Sequence, residues 1–147
     1  MSCVSFLSDN QRAALRSSAG ERITPEESQA LHPPPPVTEG KLRRIRALAR
    51  SDDPRIRESA ALNAHCPPDV LAELAQDAQI GVRGCVARTP GAPGEVLAEL
   101  ANDPIPQVRA WVASNPNVSV DLLSRLAEDS DPTVRQVVSW ARDWPRT

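Results

Sequence analysis

The chain is 147 residues long and 40% hydrophobic but only 3% aromatic, with three Trp, one Phe and no Tyr, so its core must be thin layers of Ala, Val and Leu. Fifteen prolines against six glycines exclude a bundle of long helices. A net charge of −2 argues against a dedicated polyanion binder, and no apolar run approaches the roughly 18 residues of a membrane span.

Residues 1–40 read as an extension. Met1 to Leu7 lacks the basic flank and long apolar run of a signal peptide, and the cytoplasm is the default compartment. Ser8-Asp9-Asn10 can cap a helix through Leu15, and Thr24-Pro25-Glu26-Glu27 has the form of a capping box opening a helix to Leu31. Pro33 to Pro36 then favours an extended polyproline rod, read as a spacer in preference to a ligand for a proline-reading domain.

From residue 41 the chain repeats with a period of 26. Leu48-Ala49, Leu74-Ala75, Leu100-Ala101 and Leu126-Ala127 recur without drift, as do Ile56-Arg57, Val82-Arg83, Val108-Arg109 and Val134-Arg135. Three further columns keep the register: Ile45, Leu71, Leu97 and Leu123; Ala60, Val86, Val112 and Val138; Ala61, Ala87, Ala113 and Ser139. The units are therefore 41–66, 67–92, 93–118 and 119–144, leaving 145–147 as a tail. Within a unit, Val70, Leu71, Leu74 and Ala75 share one face of a first helix, preceded by Pro67-Pro68 in a position that suits a first turn. A second short helix, expected to be partly 3₁₀, carries Val82, Cys85 and Val86; Asp53-Pro54 and Asp131-Pro132 mark its start in units one and four. Segments such as Asn115-Pro116 break the chain after it. A few aliphatic side chains cannot offset the entropy of ordering 26 residues, so units must cover one another's apolar faces. The expected fold is all-α, a right-handed α-solenoid of about four two-helix repeats with no β-sheet.

The succession Leu100-Ala101, Asp103, Val108-Arg109, Val112-Ala113 and Asn115-Pro116, echoed in the other units over about 41–144, resembles the leucine-rich repeat variant family. The resemblance implies alternating α and 3₁₀ helices in a HEAT-like superhelix that serves mostly as an interaction surface. One branch of that family carries an iron–sulfur cluster in a cysteine-rich N-terminal region. This chain has only Cys3 before residue 41, so no cluster is expected. Cys3, Cys66 and Cys85, with His32 and His65, also lack the spacing of zinc ligands; neither a metal nor another cofactor is expected, nor a Cys66–Cys85 disulfide.

Two charge patterns stand out. Asp77/Arg83, Asp103/Arg109 and Asp129/Arg135 lie six residues apart across the turn between helices, while unit one has Ser51 in the acid's place. Arg57, Arg83, Arg109 and Arg135 could form a cationic ladder tracking phosphates. Acids recurring with the same period favour a structural ladder instead, each Arg forking to an Asp of its own or a neighbouring unit. The second pattern is a basic first unit of net charge +4, against −4 over 67–147. Arg44 occupies the column of Val70, Val96 and Leu122, as a polar terminal cap would.

Three function classes follow. A non-catalytic protein–protein interaction scaffold is preferred, with a groove on the second helices presenting Arg88, Ser114 and Trp140, and Gly84, Ala110 and Gln136 one turn earlier. Trp111, aligned with Cys85 and Val137, is expected in the core; Trp140 and Trp144 either seal the last unit, the preferred reading, or anchor a partner. The alternative is nucleic-acid or anion binding through Lys41 to Arg57, with Arg43, Arg46 and Arg50 as contacts. An enzyme is not expected: the acids fall in repeating columns, neither His has an evident partner, and Gly81-Val82-Arg83-Gly84 lacks the Lys-Ser/Thr of a phosphate loop. Self-association through a terminal unit is a further expectation.

Overall fold

The computed structural model describes residues 36–143. The expected helices through Leu15 and Leu31, most of the proline rod and Trp144 lie outside them. The chain divides after Pro36, and the unit that begins at Val37 holds all the elements below.

Eight helices follow one another with no strand among the described residues: α1 (Glu39–Ala49), α2 (Pro54–Ala61), α3 (Pro68–Ala75), α4 (Ile80–Arg88), α5 (Gly94–Leu100), α6 (Pro106–Ala113), α7 (Val120–Leu126) and α8 (Pro132–Asp143). Odd-numbered helices are the first of each 26-residue unit and even-numbered helices the second. Their starts are set by caps and prolines. The Thr38, Asp53 and Ser119 side chains accept N–H groups of α1, α2 and α7, while Pro54, Pro68, Pro106 and Pro132 begin helices where no intrahelical donor is lost.

Every second helix is α-helical, which corrects the 3₁₀ expectation. Windows of eight or more residues hold two α turns, and the tighter i→i+3 bonds are confined to opening and closing turns. Asn63 N–H donates to Ala60 O at 3.2 Å, Thr89 N–H to Val86 O at 3.1 Å and Asn115 N–H to Val112 O at 3.1 Å.

Successive second helices pack on each other more extensively than successive first helices do, so α2, α4, α6 and α8 form the continuous layer of the stack. Leu71, Leu97, Val86, Val112, Ala87 and Ala113 are buried between the layers, and small residues at 61, 87 and 113 let the backbones approach. The ends depart from the period. Val82, Val108 and Val134 are 0% exposed but Ile56, in the same column, is 38% exposed, because no second helix of a described residue precedes α2. At the other end Ser139 is exposed where Ala61, Ala87 and Ala113 are buried.

Candidate interaction surface

The ladder residues meet along the loops between first and second helices. Arg57 Nε and Nη2 donate to Asp77 at 2.6 and 3.0 Å, Arg83 to Asp103 at 2.6 and 3.1 Å, and Arg109 to Asp129 at 2.8 and 2.8 Å. Each fork therefore crosses to the acid twenty residues ahead, in the next unit. The acid six residues behind contributes its backbone instead: Nη1 of Arg83 and Arg109 donates to the carbonyls of Asp77 and Asp103, both at 2.8 Å, and Nη1 of Arg57 to Ser51 O at 2.8 Å. The same carboxylates accept the N–H groups of Gln79, Ile105 and Asp131, which fixes the entry into α4, α6 and α8.

One guanidinium thus clamps a loop of its own unit to a loop of the next. The Arg57 fork, with the Gln79 N–H, holds Asp77 below the usual carboxylate range, and Arg109 with the Asp131 N–H does the same to Asp129. Bidentate pairing leaves Arg57, Arg83 and Arg109 no free edge with which to track phosphates. Arg135 keeps the backbone half of the clamp, donating to Asp129 O and Ser130 O at 2.6 and 3.0 Å, but ion-pairs with no carboxylate among the described residues.

A second set of cross-unit bonds had no counterpart in the charge pattern. Thr89 and Asn115 are buried polar side chains in the position of Asn63. Thr89 Oγ1 lies 2.9 Å from Ala61 O, and Asn115 Nδ2 donates to Ala87 O and Thr89 O at 2.6 and 3.0 Å. They satisfy carbonyls that the preceding second helix leaves open at its end. The Asn63, Thr89, Asn115 column was available in the sequence, where Asn115-Pro116 signals a chain break but not its reach backwards.

Part of the basic first unit is engaged. Arg46 pairs with Asp69 and Arg50 with Glu73, both at 3.3 Å, linking α1 to α3. Arg43, also a candidate anion contact, is exposed, and its side chain bonds to no described residue.

On the second-helix face, Trp111 lies across Gly84, where an added Cβ would run into the ring, and the Arg88 guanidinium stands 5.9 Å from the ring centroid. Gly84 and Ala110, expected to be exposed, are buried, because position 84 receives the side chain one residue beyond the period. Trp111 is half-buried, a wedge between units that packs against the core cluster. A groove of about 680 Å³ opens between α6 and α8, lined by Ala110, Trp111 and Ser114 on one side and Thr133, Val137 and Trp140 on the other. Ser114 donates through Oγ to Trp111 O at 2.8 Å. Gln136 is exposed outside the groove. Trp140 is 59% exposed at the rim of this groove, and Trp144, the other half of the sealing expectation, lies outside the described residues.

Cys66 and Cys85 are free thiols. Burial, with the Asp69 charge, pushes Cys66 up to about 11, and burial, with Glu58, also raises Cys85; neither has the environment of a reactive thiolate. No group of three His, Cys, Asp or Glu side chains among the described residues is arranged to hold a metal ion, and no helix there is long and apolar enough to cross a membrane.

Short paired helices, stacked in register and clamped by identical bonds from unit to unit, define an α-helical repeat domain. Residues 85–141, from within α4 to α8, match the family model of the Leucine Rich Repeat Variant domain. No curated protein and no solved structure matches the chain.

Proposed function

We propose that this chain is a non-catalytic protein-interaction scaffold that works in the cytoplasm and receives a partner on its second-helix face. The observation that carries this reading is the groove between α6 and α8, with the half-buried Trp111 at its floor and the exposed Trp140 at its rim. Aromatic side chains beside an apolar recess are the usual anchors of protein–protein contacts. The repeat family supports a scaffold in general terms, and two free thiols accord with a reducing compartment. A polyanion reading has less support, since Arg46 and Arg50 are held by Asp69 and Glu73.

The test is affinity capture with the folded full-length chain beside a Thr133→Trp variant that fills the groove, read by quantitative mass spectrometry. Proteins retained by the chain and lost from the variant support the reading. A folded chain that retains no protein, or the same set as the variant, overturns it.

A further inference from the structure

Each unit meets its successor through the same positions of its second helix. In unit two these are Arg83, which forks onto Asp103; Gly84, which lies under the Trp111 ring; Ala87, fully buried; and Arg88, which stands over that ring. In unit four the equivalent residues are Arg135, Gln136, Ser139 and Trp140, and all four are exposed. Arg135 is nevertheless set like the others. Its Nη1 donates to Asp129 O and Ser130 O at 2.6 and 3.0 Å, as Nη1 of Arg83 does to Asp77 O and Ala78 O at 2.8 and 3.3 Å. Only the outer edge differs: where Arg57, Arg83 and Arg109 each hold a carboxylate, Nε and Nη2 of Arg135 hold none among the described residues.

The geometry points to a carboxylate-reading docking site on this end face, occupied by a segment of a partner protein that presents an Asp or Glu to the Arg135 fork and covers Trp140. Charge complementarity selects the occupant. A guanidinium whose third nitrogen is already anchored loses little further freedom when it closes on a carboxylate, and the planar fork matches that group bidentately. Three closed rungs within the chain show the geometry it would adopt. A second copy of the chain is the poorer occupant. In the column that supplies Asp77, Asp103 and Asp129, the first unit offers Ser51, whose hydroxyl already accepts the Asp53 N–H at 3.3 Å. Arg135 and Gln136 do not line the α6–α8 groove; the end face shares only Trp140 with it, so a ligand read at Arg135 is distinguished from one seated in the groove by Thr133→Trp.

The experiment is a titration of the ¹⁵N-labelled full chain, followed at the arginine Nε–Hε signals. The probe is a synthetic peptide spanning residues 128–142, which offers the Asp129 carboxylate as the chain offers it to Arg109. The Arg135 signal should move saturably while those of Arg57, Arg83 and Arg109 stay in place. Asp129→Asn in the peptide should weaken binding about tenfold, as expected for the loss of a charge-assisted pair. Arg135→Ala in the chain should abolish binding, Arg135→Lys should weaken it, and Thr133→Trp should leave it unchanged. If Arg135→Ala does not fold, the two peptides against the unaltered chain still decide the matter. A stationary Arg135 signal, equal movement of the exposed Arg43 and Arg55, or equal binding of the Asn peptide would overturn the proposal. So would sedimentation showing dimers of the chain that Arg135→Ala dissolves, since the occupant would then be a second copy.

Discussion

Along the loops between first and second helices, three successive junctions are made by the same two residues in the same geometry, Arg57 with Asp77, Arg83 with Asp103 and Arg109 with Asp129. On the second-helix face the junctions differ. Glu58 lies over Gly81, Trp111 over Gly84, and between α6 and α8 there is a groove. The uniform edge has to close at every step, because no unit buries enough apolar surface to stand alone. Once it closes, residues on the other face are free to vary without loss of the stack. On this comparison the repetitive edge is expected to carry stability, and the irregular face holds the groove proposed above for a partner.

That division can be broken most forcefully in the shared core. Leu97 is fully buried, and Leu97→Ala should lower the unfolding free energy by about 3–4 kcal/mol in urea titrations. On the uniform edge, Arg83→Ala should cost about 3 kcal/mol, because it strands the Asp103 carboxylate in a site where its side chain is only 3% exposed. A loss below about 1 kcal/mol would show that the clamp is ornamental, as many surface pairs are.

Acid tests the same edge without mutation. Asp77 and Asp129 have folded-state pKa values below their ordinary one, so their stabilising effect is complete above the ordinary carboxylate range and lost as pH falls through the depressed values. Urea midpoints should therefore hold steady from pH 7 down to about 5 and fall below about 4, with a smaller fall for Asp129→Asn. A midpoint insensitive to pH between about 5 and 2.5 would contradict the clamp.

The irregular face should respond more weakly and locally. Gly84→Ala forces the Trp111 ring aside and should cost about 1–2 kcal/mol, with a change in near-ultraviolet circular dichroism from the displaced indole. An unchanged indole signal would mean the ring does not rest on Gly84.

The sequence made the repeat legible because five columns keep register without insertions, and the buried positions Leu71, Leu97, Val86 and Val112 follow directly from them. Contacts between units were harder to read. A spacing of six joins Asp77 to Arg83 on paper, but the distance from one unit to the next makes the fork reach Asp103, twenty residues ahead. Gly84 was misplaced for the same reason: its neighbour is Trp111, twenty-seven residues on, and periodicity says nothing of a side chain one step out of phase. End effects were illegible as well. Ile56 belongs to the column of Val82 yet is exposed, since burial there requires a preceding second helix that a column cannot reveal. Of the groove, Ser114 and Trp140 were found as exposed positions, while Thr133 and Val137 emerge only from the packing of α6 against α8.

The finest test compares two arginines of one column. Arg83 and Arg135 both donate through Nη1 to two loop carbonyls, so substitution of either removes the same backbone bonds. They differ in the carboxylate, present on Arg83 and absent from Arg135 among the described residues. Arg135→Ala should therefore cost only about 0.5–1 kcal/mol, the worth of ordinary hydrogen bonds at an exposed site. The difference between the two variants, about 2 kcal/mol, isolates what the inter-unit fork contributes beyond the turn it braces. Equal losses would assign the stabilisation to the turn, and the uniform edge would then be four separate braces in a row rather than a chain of clamps.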